Sequence, residues 1–444
     1  MVAEVPVPHP PDWVVTNLGR VALKIGSGAT PLGGKEAYLS KRSRFALVRS
    51  QNVFDRHFEA AGLAFISDEQ AMRLKGAALK EGDLLLNITG DGITFSRACA
   101  VPADVLPASV NQHVAIIRVN PVVADAGFVL AYLTHPAVKA YIEGFNAGGS
   151  RRAITKAHIE SFHLALPPLP EQHAIADILG ALDDKIDLSR RMSETLEAIA
   201  QALFRSWFVD FDPVRDKAEG RELSLSKEVA DLFPVSLQKS GLGEIPRGWK
   251  VSGLDEIADF RNGLALQRYP PTNGSSLPVI KIAQLRIGRT DGREFATANL
   301  APEYIAEDGD VLFSWSGTLE CVVWSGGKGA VNQHLFKVTS SVYPKWFYYL
   351  WIHQHLEHFR NIAAGKATTM GHIQRHHLSE AKVVLPPPAV LQALDVIISP
   401  LIEGHWRRRV QSRVLAALRD TLLPKLISGE LRIQDPDRII GRHA

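Results

Sequence analysis

The stretch SKRSRFALVRSQNV crowds Lys41, Arg42, Arg44, Arg49, Gln51 and Asn52 around one run of β-type residues. VIKIAQLRIGR repeats the mixture with Lys281, Gln284, Arg286 and Arg289. Residues of these types suit a DNA duplex: lysine and arginine neutralise phosphates, arginine pairs with guanine, and asparagine or glutamine pairs with adenine. A solvated charged face is the competing reading. GGSRRAITK (Arg151, Arg152, Lys156) and AGKATT (Lys366, Thr368, Thr369) set glycines beside cations and hydroxyls, as a phosphate clamp requires. A mobile hairpin would use the same residues. NITGDGITFSR, with Thr89, and SWSGTLECVVW read as hairpin turns near the bound duplex.

Other groups point less clearly to chemistry. VNQH occurs at Val110 and again at Val331, giving matched His113 and His334. It flanks a β-type run in both places without a neighbouring nucleophile or carboxylate pattern, so a structural hydrogen-bonding role is expected. HQHLEH (His353, His355, His358) and the pair His372 and His376 lack the cysteines or glutamates of a zinc set, so no metal is expected. HWRRR, with Arg407, Arg408 and Arg409, suits a phosphate, a partner or plain solvent. Cys99 and Cys321 fall at matching places and are expected to be buried rather than bonded. No [Asn/Asp]-Pro-Pro-[Tyr/Phe], phosphate-binding loop or dinucleotide fingerprint occurs, so no cofactor is expected and catalysis is expected to lie elsewhere.

The elements that position these residues are written twice. Trp13 and Trp249 each lead into similar segments, and EGDLL at Glu81 returns as DGDVL at Asp308. VNQH follows in both copies, and Leu166-Pro167-Pro168 returns as Leu385-Pro386-Pro387. Order is kept while the separation drifts, as two copies of one fold with unequal loops would show. Each copy mixes short strands, glycine-rich turns and one helical segment, GFVLAYLTHPAVKAYIEGF or PKWFYYLWIHQHLEHFRNI. Residues 1–165 and 247–384 form these two parts. The stretch 210–246 reads as a linker with room for one short helix, and 433–444 as a tail.

After each Leu-Pro-Pro the pattern becomes helical, over 166–209 and 385–432. Spacing by threes and fours gives Ile175, Leu179, Leu182, Ile186, Leu196 and Leu203 in the first, and Leu394, Ile398, Leu401, Leu415 and Leu422 in the second. Such a narrow seam is that of a coiled coil rather than a broad globular face. A helix of this kind is about 55–60 Å long and would project beyond a domain about 30 Å across. Both seams are polar at their centres, at Ser189 and Ser193 and at Arg408 and Ser412. An antiparallel pair would bring those centres together; a parallel pair would match them too, but would place both globular parts at one end. Two helices packed separately on their own domains is the alternative, and Pro400 and Gly404 favour it by threatening a kink.

With 46% hydrophobic and 22% charged residues in 444, the chain is ordinary globular material for two or three domains. Formal charge is only +3, so any nucleic-acid affinity must come from local clusters. No apolar run spans a membrane, no signal peptide is evident, and two cysteines suit a reducing cytoplasm.

LPPLPEQHAIADILGALDDKI, SLQKSGLGEIPRGWKV, the GSGATP and RNGLAL turns and the closing LLPKLISGELRI together resemble the specificity subunit of type I restriction–modification enzymes. The resemblance spans nearly the whole chain. It implies an α+β protein: a tandem pseudo-repeat of two mixed α/β target-recognition domains, separated by two long helices forming an antiparallel coiled coil. It further implies that each domain reads half of a bipartite site in double-stranded DNA, and that the helices set the gap. Two methyltransferase subunits carrying S-adenosylmethionine would dock, with restriction/translocase subunits joining them. An autonomous DNA-modifying or DNA-cleaving enzyme, built around GDG and His113, is the other reading. One departure is plain: the second helix start, LPPPAVLQALDVI, lacks the Glu-Gln of the first, so equal docking at the two ends does not carry over.

Overall fold

The computed structural model describes residues 5–90, 93–145, 152–223, 225–272, 274–365, 371–433 and 435. They form two compact units, Met1–Lys185 with Leu415–Ala444, and Ile186–Val414. Both boundaries fall inside the long helices, Leu169–Phe208 and Pro388–Ile427, each unbroken for 40 residues. Each unit owns one β-rich head and a portion of both helices.

The two heads share one plan. In the first unit Ala22–Ser27, Val114–Val119, Leu84–Asn87 and Ala98–Ala100 form an antiparallel sheet in that order. In the second, Asp259–Asn262, Leu335–Thr339, Val311–Ser314 and Cys321–Val323 do the same. A second sheet in each contains one parallel pair, Phe45–Val48 with Ala108–Val110 and Ser276–Ile280 with Gly329–Val331. The strand after each leading tryptophan pairs with the strand that launches the long helix: Val14–Asn17 with His163–Leu166, and Lys250–Gly253 with Lys382–Leu385. The repeated Gly-Asp explains itself here. Asp83 accepts the N–H of Lys80 and pairs with Arg118, while Asp310 accepts that of Glu307 and pairs with Lys337.

Two expectations are corrected. The helical segment of the first copy is two helices, Ala126–Leu133 and Pro136–Gly144, because Pro136 lacks the N–H to continue. His135 caps the new start. Its counterpart, with no proline, is one helix, Lys345–Ala364. The stretch 210–246 is folded rather than a plain linker: helices Asp212–Ala218 and Lys227–Leu232 and a hairpin, Leu237–Ser240 with Gly243–Pro246. Phe211, Val214, Phe233 and Ile245 are buried there in one core with Trp249. Charged residues between those apolar ones masked the pattern.

The long helices pair antiparallel within each unit. In the second, Ser189 donates to Gln411, Ser193 meets His405 at 3.0 Å, and Leu196 lies against Gly404. In the first, Asp183 bonds Arg419 at 2.8 Å. A Cβ on Gly404 would stand 2.9 Å from Leu196, so glycine permits the close approach instead of loosening the helix, and Pro400 does not interrupt it. Ile175, Leu179, Ile186, Leu394 and Ile398 are buried, while Leu182, Leu196, Leu203, Leu401, Leu415 and Leu422 are half-buried. Toward their ends the helices bury more than the expected narrow seam, with Phe204, Trp207 and Phe208 packed in the second head and Leu423, Leu426 and Ile427 in the first. Burying a leucine- or phenylalanine-sized side chain contributes roughly 1.5–3 kcal/mol, so these broad ends hold each head to its helices.

Burial holds the pKa values of His353, His355 and His405 below the usual histidine value, against the raising influence of Glu197 on His353 and His405. All three sit in the second unit, with Arg409 opposing protonation of His405. The unfolded chain binds these protons from about pH 6.5 downward, whereas the folded one does so only at lower pH. Their contribution to stability is therefore complete above about pH 6.5 and lost as pH falls toward the folded values. Urea unfolding of the second unit is expected to shift to lower midpoints between pH 7.5 and 5.5, and His405→Gln is expected to reduce that shift.

Candidate nucleic-acid interface

One junction is built the same way in both units. Asn111 accepts the N–H of His113 through its side chain, as Asn332 does for His334. His113 Nδ1 lies 2.6 Å from the Thr89 hydroxyl, and His334 Nδ1 lies 3.0 Å from that of Ser316. Gln112 and Gln333 reach the other ring nitrogen with their amide nitrogens, at 3.0 and 3.3 Å. The amide can only donate, so Nε2 accepts and Nδ1 carries the proton given to the hydroxyl. Thr89 pairs across from Ala153, and Ser316 across from His372, joining the chain that leaves each glycine-rich loop. VNQH thus has the hydrogen-bonding role its place beside a strand implied.

The cationic clusters separate into exposed and engaged members. Lys41, Arg42 and Arg44 are exposed, Arg44 with a loose 4.0 Å pairing to Asp68. Arg49 instead donates to the Gly62 carbonyl and lies over the Tyr38 ring, and Gln51 also donates to Gly62. Asn52 is fully buried, accepting from the Arg49 N–H and donating to Glu59 and Ala61. Gln284 is its counterpart: buried, accepting from the Lys281 N–H and donating to Asp291. Both amides close turns, which takes them out of reach of a base. Lys281 pairs with Glu294, while Arg286 and Arg289 are exposed. Lys156 pairs with Glu160 along its helix. Arg152 has its backbone beside Gly90. Its side chain, with Arg151, Lys366, Thr368 and Thr369, lies outside the described residues.

Several of the remaining candidates have partners within the chain. His353 and His355 donate to the carbonyls of Cys321 and Lys382. His376, His377 and Glu380 do place ligand atoms within 4.8 Å of one another, yet His377 Nδ1 accepts the N–H of Gln374 and caps its helix. Burial pushes both cysteine thiols up, so they are inert core groups. Arg407 pairs with Glu403, and Arg408 bonds Gln411.

Charged clamps tie head to helix, and the sequence did not single these out. In the first unit Asp183 lies between Arg56 and Arg419, at 2.6 and 2.8 Å. In the second Arg413 grips Asp308 with both its terminal nitrogens. The Pro-Glu-Gln signature is equally internal. Glu171 is buried and takes two bonds from Arg432, which also reaches Asp12. Gln172 accepts the Asp125 N–H and donates to Pro167. At the matching place Val390 is buried in the second core, with Leu391 packed against it, which accounts for the missing Glu-Gln.

The family model for the type I restriction modification DNA specificity domain matches residues 59–198 and 246–402, once per copy. The chain belongs to this family. Among members of the type I DNA specificity family, the MjaX specificity subunit of Methanocaldococcus jannaschii is 40% identical over 436 residues, covering 96% of this chain and 95% of that one. The type I restriction enzyme HindI specificity subunit of Haemophilus influenzae is 24% identical, covering 95% and 100%. The crystal structure of a type I restriction-modification system S subunit from M. genitalium has the same fold, with a TM-score of 0.57 at 13% identity over 95% of this chain and 98% of that one. Among the described residues no helix is long and apolar enough to cross a membrane.

Asp183→Ala would leave the Arg56 guanidinium, only 5% exposed, without its carboxylate. A loss of about 3–5 kcal/mol is expected, against about 0.5 or less for Glu69→Ala at an exposed pair. Denaturant unfolding of the two variants measures the difference.

Proposed function

We propose that the chain is the DNA-reading subunit of a type I restriction–modification assembly, with each unit reading one half of a bipartite duplex site. The observation that carries this is the duplicated junction: two heads of one plan, in one chain, whose loops differ. Two reading heads joined covalently need not be copies, so the target need not be palindromic. The exposed cations Lys41, Arg42, Arg44, Arg286 and Arg289 supply contacts to phosphate or base edge. The paired helices act as the spacer that sets the gap between half-sites. Methyltransferase subunits bearing S-adenosylmethionine and a restriction/translocase subunit supply the chemistry, in the cytoplasm, and the chain itself is not catalytic. His113, the centre of the rival enzyme reading, has both ring nitrogens occupied by Thr89 and Gln112.

The purified chain is expected to bind a duplex, yet neither cut nor methylate it without added subunits; turnover by the chain alone would support the enzyme reading. Neutralising Lys41, Arg42 and Arg44 together is expected to weaken binding to every sequence and to lower the salt slope by about 0.9 for each phosphate no longer neutralised. Adding two helical turns at facing positions of both long helices is expected to widen the gap between half-sites. Methylation mapping with the full assembly reads that gap, and an unchanged gap would remove the spacer role.

A further inference from the structure

Gln112 is exposed, and Gln333 half-buried. An exposed glutamine ordinarily samples several rotamers, and holding it still costs conformational entropy. Here both are held, each by its own histidine, and each histidine ring is held in place by its own hydroxyl. The ring bond uses one N–H of each amide. The other N–H and the side-chain carbonyl make no bond among the described residues. The fold already secures the strand through the buried Asn111 and Asn332, so the stationary amide is not needed for that.

The arrangement is also repeated where its surroundings are not. Thr89 in one unit stands where Ser316 stands in the other, and Ile88 stands where Trp315 does. Loops that read different bases are expected to differ. A group kept identical in both acts on what every half-site shares, and in a duplex that is the sugar–phosphate backbone, which neutral amide donors commonly contact.

We infer that Gln112 and Gln333 are sequence-independent contacts to the DNA backbone, each aimed by a histidine–hydroxyl pair, an assignment that rests on the DNA-reading role proposed above. The glutamines touch the phosphate, and His113, His334, Thr89 and Ser316 are positioning residues. One unit thus places its duplex half in the same register as the other, whatever bases its loops prefer.

The test uses the full chain, a random-sequence 40-base-pair duplex pool, and repeated selection from that pool. Gln112→Ala and Gln333→Ala are each expected to weaken binding to the unselected pool roughly three- to tenfold, with the selected sequence unchanged. Gln112→Glu, nearly the same shape but repelled by phosphate, is expected to lose more. Thr89→Val is expected to weaken binding in the same sequence-blind manner, and Thr89→Ser to restore it. Disappearance of one position from the selected sequence would overturn the inference in favour of base reading. Unchanged affinity in all variants would overturn it in favour of a purely structural motif. Failure of the unmutated chain to bind any duplex would instead sink the DNA-reading role itself.

Discussion

Ser193 and His405 meet where water does not reach, at the polar centre of two helices that are apolar toward both ends. A buried polar side chain must find a partner or cost free energy. Sliding either helix by one turn would separate this pair. The bond therefore selects a register, and burial keeps the ring neutral within it. Once the register is set, Asp183 lies opposite Arg419, and Glu197 meets Tyr349 and His405. Apolar residues supply the affinity of the two helices for each other, and the polar centre decides where they stop.

Polarity plays the corresponding role where each helix leaves its head. At the first start Glu171 and Gln172 are enclosed and satisfied by Arg432, Asp125 and Pro167. At the second start the same volume is filled with Val390 and Leu391 against an aromatic-rich core. Charge and hydrogen bonding do at one end what hydrophobic packing does at the other. The signature that most resembled the family is consequently an internal fastening of the first unit.

Duplication and the paired helices were legible, because each leaves a periodic or repeated mark in the chain. The polar centres of the two seams fitted an antiparallel or a parallel pair alike, and the antiparallel choice came with the family resemblance. Less visible was whatever depends on distant residues meeting. Arg56 and Asp183 carry no local sign of each other, nor do Asp308 and Arg413. Asn52 and Gln284 misled for a related reason: an amide that closes a turn and an amide that reads a base have the same letters. Only hydrogen-bond partners tell them apart. The fold of 210–246 was hidden by charges placed between its buried phenylalanines.

The clamps between heads and helices make the two halves of this chain less alike than their shared plan suggests. Where the first long helix carries Asp183 to receive Arg56, the second carries the buried Ile402 at the matching position. A head moved from one seat to the other would bring a guanidinium to a hydrocarbon socket. The seats are keyed. New specificities can then arise by changing loops in place, while shuffling heads between the two positions of this chain is penalised by an orphaned charge.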